Sequence, residues 1–258
     1  MTKVIAGNWK MHHGPSAAVE FFSRFRPAVR EGSVRIALFT PALSLASARR
    51  AAAAAIEIGA QHIHWERSGA FTGELSAEMA SEVDATLALI GHSERRHLFG
   101  ETDAEVARKV RAAIRAELTP VVCVGELLEE RTAGRLDEVL ARQVGAVAEA
   151  LATARDFMVA YEPVWAIGTG ETATPEDATA AHRLVRSALG ELGGAPVLYG
   201  GSVNPANAAA LLSAPDVDGV LVGGASLDPI GFGRIVEAGV GGCQGPLSGA
   251  PSGPHRGC

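Results

Sequence analysis

Cysteine is scarce in this 258-residue chain: Cys123, Cys243 and Cys258 are the only three, and they lack metal-ligand spacing. That excludes a disulfide framework and a thiolate zinc site. An excess of positive charge is also missing. The 23 lysines and arginines are outnumbered by 29 acidic residues, giving a formal net charge of −6, so no nucleic-acid partner is expected. A small anion is still compatible, because one lysine and a few backbone N–H groups bind a phosphate locally. No apolar run approaches the roughly 18 residues of a membrane helix. Nor do the N-terminal residues contain an apolar signal segment with a small-residue cleavage site. The expectation is a cytoplasmic protein without a membrane partner. Hairpin signals between apolar runs are absent too, which argues against an antiparallel sheet.

What the sequence does contain is alternation. Short apolar runs predict strands over Lys3–Trp9, Val34–Phe39, Ile56–Gln61, Ala85–Gly91, Thr119–Gly125, Phe157–Tyr161, Pro196–Gly201 and Gly219–Gly224. Spacing and start signals predict helices over Ser16–Arg30, Leu43–Ala55, Ser76–Val83, Thr102–Ala116, Arg135–Ala152, Pro175–Leu189, Pro205–Ser213 and Pro229–Glu237. Thr102 and Glu105 read as a capping box, and Thr174-Pro175 as a cap followed by a proline at the first helical position. Eight strands each followed by helix call for a parallel sheet with helices outside it. Eight such units in about 250 residues fit a single closed (β/α)8 barrel, residues 1–239; a doubly wound open sheet is the runner-up. Residues 240–258 are expected to be a disordered appendage, because nine of the eighteen from Gly241 onward are glycine or proline without periodicity.

In a barrel the residues just past the strands share one rim. Here those positions carry Asn8, Lys10, His92, Glu162, the turn Gly200-Gly201-Ser202 and the pair Gly223-Gly224. Glu162 ends a strand and is followed by Pro163, which has no N–H for a ladder, then by Val164-Trp165-Ala166-Ile167 and Gly168-Thr169-Gly170. A solvated loop has no use for four apolar residues in a row, whereas a lid that excludes water does. Burial beneath it should raise the Glu162 carboxyl toward neutrality, as a general base requires; alone, a strand-tip glutamate would be read as solvated. His92 opens the turn Ser93-Glu94-Arg95-Arg96. It is either a packed cap or a neutral imidazole whose pKa falls at a helix N-terminus. Lys10 is a surface lysine or a fixed charge for a phosphate or oxyanion, and Asn8 a turn residue or a hydroxyl partner. The glycines are tight turns or, together with Gly168, an anion cradle at the seventh and eighth strands. His62-Ile63-His64 imitates a metal pair but has no further ligand at a comparable tip apart from Glu162, so no metal is expected.

Six stretches carry a resemblance: Gly7-Asn8-Trp9-Lys10-Met11, Gly69-Ala70-Phe71-Thr72-Gly73-Glu74, Gly91 to Arg96, Ala160 to Gly170, Tyr199-Gly200-Gly201-Ser202 and Leu221 to Ala225. In this order, from Lys3 to about Gly239, the chain resembles the triosephosphate isomerase family. The resemblance implies an isomerase of a small sugar phosphate that needs no metal or organic cofactor. In the roles familiar for that family, Glu162 moves a proton between adjacent carbons of dihydroxyacetone phosphate, and neutral His92 shares protons with the enediolate oxygens. Asn8 and Lys10 would orient the substrate and stabilise its charge, with Glu94 fixing Lys10 from behind. Gly168, Ser202, Gly223 and Gly224 would hold the phosphate, and Val164 to Thr169 would close as the lid. Gly69 to Glu74 resembles the family's dimer loop, which implies a homodimer in which Thr72 reaches the neighbour near its Lys10. Glu171 departs from the lysine usual after the lid glycine, Phe39 to Leu43 is a loose version of a proline-containing loop, and the tail is extra. Two alternatives remain: an isomerase of a tetrulose phosphate, since rim loops set substrate length, and a non-catalytic phosphate-binding barrel. The latter is disfavoured because Asn8, Lys10, His92 and Glu162 are all present.

Overall fold

The computed structural model describes residues 2–167 and 173–240. Gly168, Glu171 and the expected appendage from Gly241 onward lie outside the described residues. The strands are β1 (Val4–Asn8), β2 (Arg35–Thr40), β3 (Ile56–Ala60), β4 (Leu87–Ile90), β5 (Thr119–Val124), β6 (Met158–Tyr161), β7 (Val197–Tyr199) and β8 (Gly219–Val222). Each pairs in parallel with the next, and β8 returns to β1 with Val4 opposite Gly219. The barrel is closed, as strict alternation predicts.

Helices cover the outside: α1 (Pro15–Arg24), α2 (Leu45–Ala51), α3 (Ala77–Glu82), α4 (Ser93–Phe99), α5 (Asp103–Arg115), α6 (Leu128–Thr132), α7 (Leu136–Leu151), α8 (Pro175–Leu189), α9 (Ala208–Ser213) and α10 (Pro229–Ala238). The capping box of α5 forms as expected, with Glu105 N–H donating to Thr102 Oγ1 and Thr102 N–H to Glu105 Oε2. The first helix ends six residues before its predicted boundary Arg30. Pro27 disfavours helical geometry in the residue before it and cannot donate within the helix; Arg26 instead caps the carbonyls of Phe22 and Phe25. The alanine-rich α2 is also shorter than predicted, stopping at Ala51, because Arg49 ties the carbonyl of Ile56 and the chain must turn into β3. No described helix is long and apolar enough to cross a membrane.

Alternation along each strand sorts the core into two layers. Val4, Ala6, Ala37, Phe39, Leu87, Leu89, Val121, Cys123, Met158, Ala160, Leu198 and Leu221 pack inside the barrel. Ile5, Leu38, Ile58, Ile90, Val122, Tyr161, Tyr199 and Val222 face the helices. Gly59 makes room for the largest inward ring, since a Cβ there would lie 2.6 Å from Phe39. One step above this packed floor, the inward positions are Asn8, Gln61, Gly91, Gly125, Glu162, Gly200 and Gly223. The period that fills the barrel therefore also delivers the rim residues.

Candidate active site

Asn8, Lys10, His92, Glu162, Ser202, Gly223 and Gly224 line one cavity of about 230 Å³ together with Ile167, Gly200, Gly201, Val203 and Leu221. Six strand tips contribute to it or frame it, and glycine serves two different ends among them. A Cβ on Gly125 would fall 1.8 Å from the Glu162 carbonyl oxygen, and one on Gly200 would fall 2.9 Å from Glu162 Cγ. On Gly224 a Cβ would meet nothing within 4 Å, and on Gly223 only Lys10 Cε at 3.5 Å. Glycine at β5 and β7 thus lets the Glu162 backbone and side chain approach, whereas at β8 it bares backbone to the cavity.

Glu162 is 2% exposed. Its Oε2 accepts the Ser93 N–H at 2.9 Å, and its Oε1 accepts the Ser93 hydroxyl at 3.3 Å and lies 3.0 Å from His92 Nε2. Burial pushes the carboxyl pKa up, as expected from sequence. The neighbouring His92 ring, the Ser93 amide and the Cys123 thiol push harder the other way, so it is lowered. The expected rise is corrected by donors that arrive from β4 and β5, which the local sequence does not show.

His92 is the N-cap of α4, and its Nδ1 accepts the Glu94 N–H at 3.3 Å. An acceptor at Nδ1 places the ring proton on Nε2, the nitrogen that faces Glu162. Burial works against charge on this ring, but the Glu162 carboxylate outweighs it and raises the His92 pKa. The lowering expected from the helix N-terminus alone is corrected accordingly: the amides select the tautomer, and the carboxylate sets the direction of the shift.

Lys10 adopts φ +50°, a left-handed conformation costly for a side-chain-bearing residue. Two bonds over-determine it. Its N–H donates to Asn8 Oδ1 at 3.0 Å, and its carbonyl accepts Gln61 Nε2 at 2.9 Å. Gln61 also reaches Asn8 Oδ1 at 3.2 Å. The Lys10 ammonium binds Glu94 Oε1 at 2.6 Å. Gln61, Ser93 and Cys123 were missed from the sequence; strand parity with Asn8 and Glu162 would have found Gln61 and Cys123.

On the opposite wall Ser202 Oγ donates to the Ala166 carbonyl at 2.6 Å, linking the β7 turn to the 3-10 turn Val164–Ala166. Trp165 Nε1 donates to the buried Glu126 at 2.8 Å. The expected lid is therefore described only as far as Ile167, and Gly168 of the expected cradle is outside it. His62 and His64 bind no common centre. His62 Nε2 lies 2.6 Å from Glu74 Oε2, while His64 stacks on Trp65 and meets the Phe71 ring at a tilt. Among the described residues no group of three or more histidine, cysteine or acidic side chains could hold a metal ion.

A buried carboxylate facing a proton-bearing imidazole nitrogen, with an ammonium across a small cavity, can move a proton at carbon and stabilise an adjacent oxyanion. Known proteins agree with that chemistry. The triosephosphate isomerase family model matches residues 3–239. The triosephosphate isomerase of Moorella thermoacetica is 48% identical over 242 residues, covering 91% of this chain and 97% of its own. That of Solibacter usitatus is 47% identical over 245 residues (91% and 98%), and that of Rubrobacter xylanophilus 48% over 246 (91% and 96%). With its closed barrel, its rim cavity and a match running from Lys3 to Gly239, the chain belongs to the triosephosphate isomerase family.

Proposed function

We propose that the rim cavity interconverts dihydroxyacetone phosphate and D-glyceraldehyde 3-phosphate through an enediolate, a step of glycolysis and gluconeogenesis. The observation that carries this is the direct contact of Glu162 with His92 Nε2 inside a cavity whose other wall holds Lys10. The Glu162 carboxylate takes the proton from the hydroxymethyl carbon, and the electron pair moves to the carbonyl oxygen. His92 Nε2–H and the Lys10 ammonium meet the charge that develops there. The ring passes a proton to that oxygen and collects one from the neighbouring hydroxyl. Glu162 then returns its proton to the second carbon. Substrate entering between Glu162 and His92 takes the Nε2–H for its own oxygens, leaves the carboxylate with fewer donors and makes it a stronger base.

Asn8 orients the substrate, Glu94 braces Lys10, and Ser202, Gly223 and Gly224 hold the phosphate; Gly168 belongs to the same proposed cradle. A coupled assay with the triose phosphate and a four-carbon ketose phosphate side by side tests the assignment. Rapid turnover of the triose with little of the tetrose is expected, and no turnover of the triose overturns it. The other two readings, a tetrulose phosphate isomerase and a binding-only barrel, are disfavoured by the names of the relatives and by the intact set Asn8, Lys10, His92 and Glu162.

The proposal includes a cytoplasmic homodimer through Gly69 to Glu74. Those residues are largely exposed, and Met11 (94% exposed) and Phe99 (67%) stand beside Lys10 and Glu94, where a second copy's Thr72 would arrive. Sedimentation should give a dimer, and a fully active monomer on dilution would count against it. Residues 1–239 are proposed as the catalytic domain, so truncation after Val240 should leave turnover intact.

A further inference from the structure

Beyond the groups that face the cavity, the β4-to-α4 turn has its own fastening. We propose that Arg96 is a positioning residue for the isomerisation, locking the turn that carries His92 and Ser93 to the strand that carries Cys123. The proposal rests on the assignment of Glu162 as the base.

The Arg96 side chain folds back beneath the first turn of α4, is only 8% exposed, and does not line the cavity. Its planar fork is spent on three different elements. Nε donates to the Gly91 carbonyl at 2.7 Å, Nη2 to the Cys123 carbonyl at 3.2 Å, and Nη1 to Asp103 Oδ1 at 2.7 Å. Gly91 immediately precedes His92 and Ser93, while the Cys123 thiol lies against the Glu162 carboxylate. The ladder between β4 and β5 pairs residues up to Ile90 with Val122. Gly91 and Cys123 would be the next pair, and there the guanidinium bridges their two carbonyls in place of backbone pairing.

Gly91 is shaped for this. It has φ +73°, which favours glycine, and a Cβ there would lie 2.9 Å from Arg96 Nη2. Its N–H is held as well, by Glu101 Oε1 at 3.2 Å. The turn is thus clamped on its donor and acceptor sides just before the two residues that touch Glu162. A lysine supplies charge but not a rigid fork able to serve acceptors in three directions.

Arg96→Lys, Asp103→Asn and Glu162→Asp should be compared with the wild-type enzyme in kcat, KM, competitive inhibition by inorganic phosphate, and the pH profile of kcat/KM. For Arg96→Lys kcat should fall about 100-fold, the scale of an ångström-sized misplacement. KM and phosphate inhibition should stay within about twofold, because uniform binding is untouched. The acid limb should move to higher pH, since Glu162 loses well-placed donors. Asp103→Asn frees one arm of the fork and should shift kcat and the acid limb the same way, by about tenfold in kcat. If Arg96→Lys keeps wild-type kcat and pH profile, or loses only thermal stability, while Glu162→Asp is crippled, the positioning role is wrong and the base stands. An unimpaired Glu162→Asp removes the base and the positioning role together. Should Arg96→Lys fail to fold, Asp103→Asn decides, and an unchanged pH profile there overturns the proposal.

Discussion

Glu126 and Glu162 are the same residue type at the tips of adjacent strands, and both are buried, at 0% and 2% exposure. Parity separates them. Glu126 continues the outward series of Val122 and Val124 and sinks among the helices, whereas Glu162 continues the inward series of Met158 and Ala160 and faces the cavity. Their donors differ accordingly. Glu126 Oε1 accepts from Tyr161 Oη at 3.0 Å, Trp165 Nε1 at 2.8 Å and Arg131 Nη1 at 3.3 Å. The Tyr161 phenol keeps its proton near neutrality, because burial and the adjacent Glu126 charge push its pKa up. Glu162 is held instead by a backbone amide, a hydroxyl and an imidazole that can exchange its proton. Burial alone does not make a catalytic carboxylate; exchangeable donors beside a cavity do.

The strongest attempt to break this contrast shortens the inward carboxylate. Glu162→Asp should lower kcat by about 100- to 1,000-fold, because withdrawing the proposed base by one methylene misplaces it by about an ångström. Inhibition by inorganic phosphate and the melting temperature should stay near wild type. Steady-state kinetics with a thermal melt checks both halves, and wild-type turnover would remove Glu162 as the base.

The outward layer should announce its protons in stability rather than in rate. His182, on α8 and 0% exposed, sits edge-on to Tyr161 with Nδ1 3.0 Å from the Asp216 carbonyl, and its Nε2 has no hydrogen-bond partner among the described residues. Burial lowers its pKa to about 4 from the ordinary 6.5. Between those values the unfolded chain binds more protons than the folded one, so stability is complete above the unfolded pKa and drains away as the pH falls toward 4. The loss is on the order of 3 kcal/mol. Denaturant melts at pH 7 and pH 4.5 should show it, and His182→Asn, which keeps a donor for Asp216 but does not titrate, should flatten that part of the difference. An unchanged pH dependence in the variant would remove His182 as the cause.

How much of this could be read from sequence follows from the range of each interaction. The eight strands were legible because each is a short apolar run bounded by punctuation, and α5 and α8 because Thr102 with Glu105, and Thr174 with Pro175, are local signals. Asn8, Lys10, His92 and Glu162 could be placed on one rim because a parallel barrel puts every strand end there. The early end of α1 was written in Pro27 and outweighed by the phenylalanine periodicity before it. The five-residue α6 was missed, being too short to show a period. Ser93 and Glu126 were not selected because their importance comes from partners 69 and 35 residues away. The direction of the Glu162 shift failed for the same reason: burial is visible in a local apolar stretch, but the His92 and Ser93 donors are not.

A gentler probe of the same contrast removes charge from the outward carboxylate without changing its shape. Glu126→Gln takes from Arg131 the buried one of its two carboxylate partners, leaving Asp177, and forces an amide among three donors. It should cost about 1–3 kcal/mol of stability while kcat falls less than tenfold. Equal damage to rate from Glu126→Gln and Glu162→Asp would dissolve the distinction between the two layers.

The smallest effects should come from single methyl groups, and they discriminate most finely. Alanine at Gly200 would place Cβ 2.9 Å from Glu162 Cγ and 3.1 Å from the Tyr161 carbonyl oxygen, so the Glu162 side chain or the strand tip must move. Alanine at Gly224 meets nothing within 4 Å, and its methyl would project into open space beside the proposed phosphate cradle. Gly200→Ala should therefore lower kcat, by about tenfold for a shift of a few tenths of an ångström, with little change in KM. Gly224→Ala should instead raise KM a few-fold, about 1 kcal/mol of uniform binding, with kcat nearly intact. The same atom added at neighbouring strand tips would then separate chemistry from binding. If both variants changed kcat and KM in the same proportion, the β7 tip would not be reserved for the base nor the β8 tip for the phosphate.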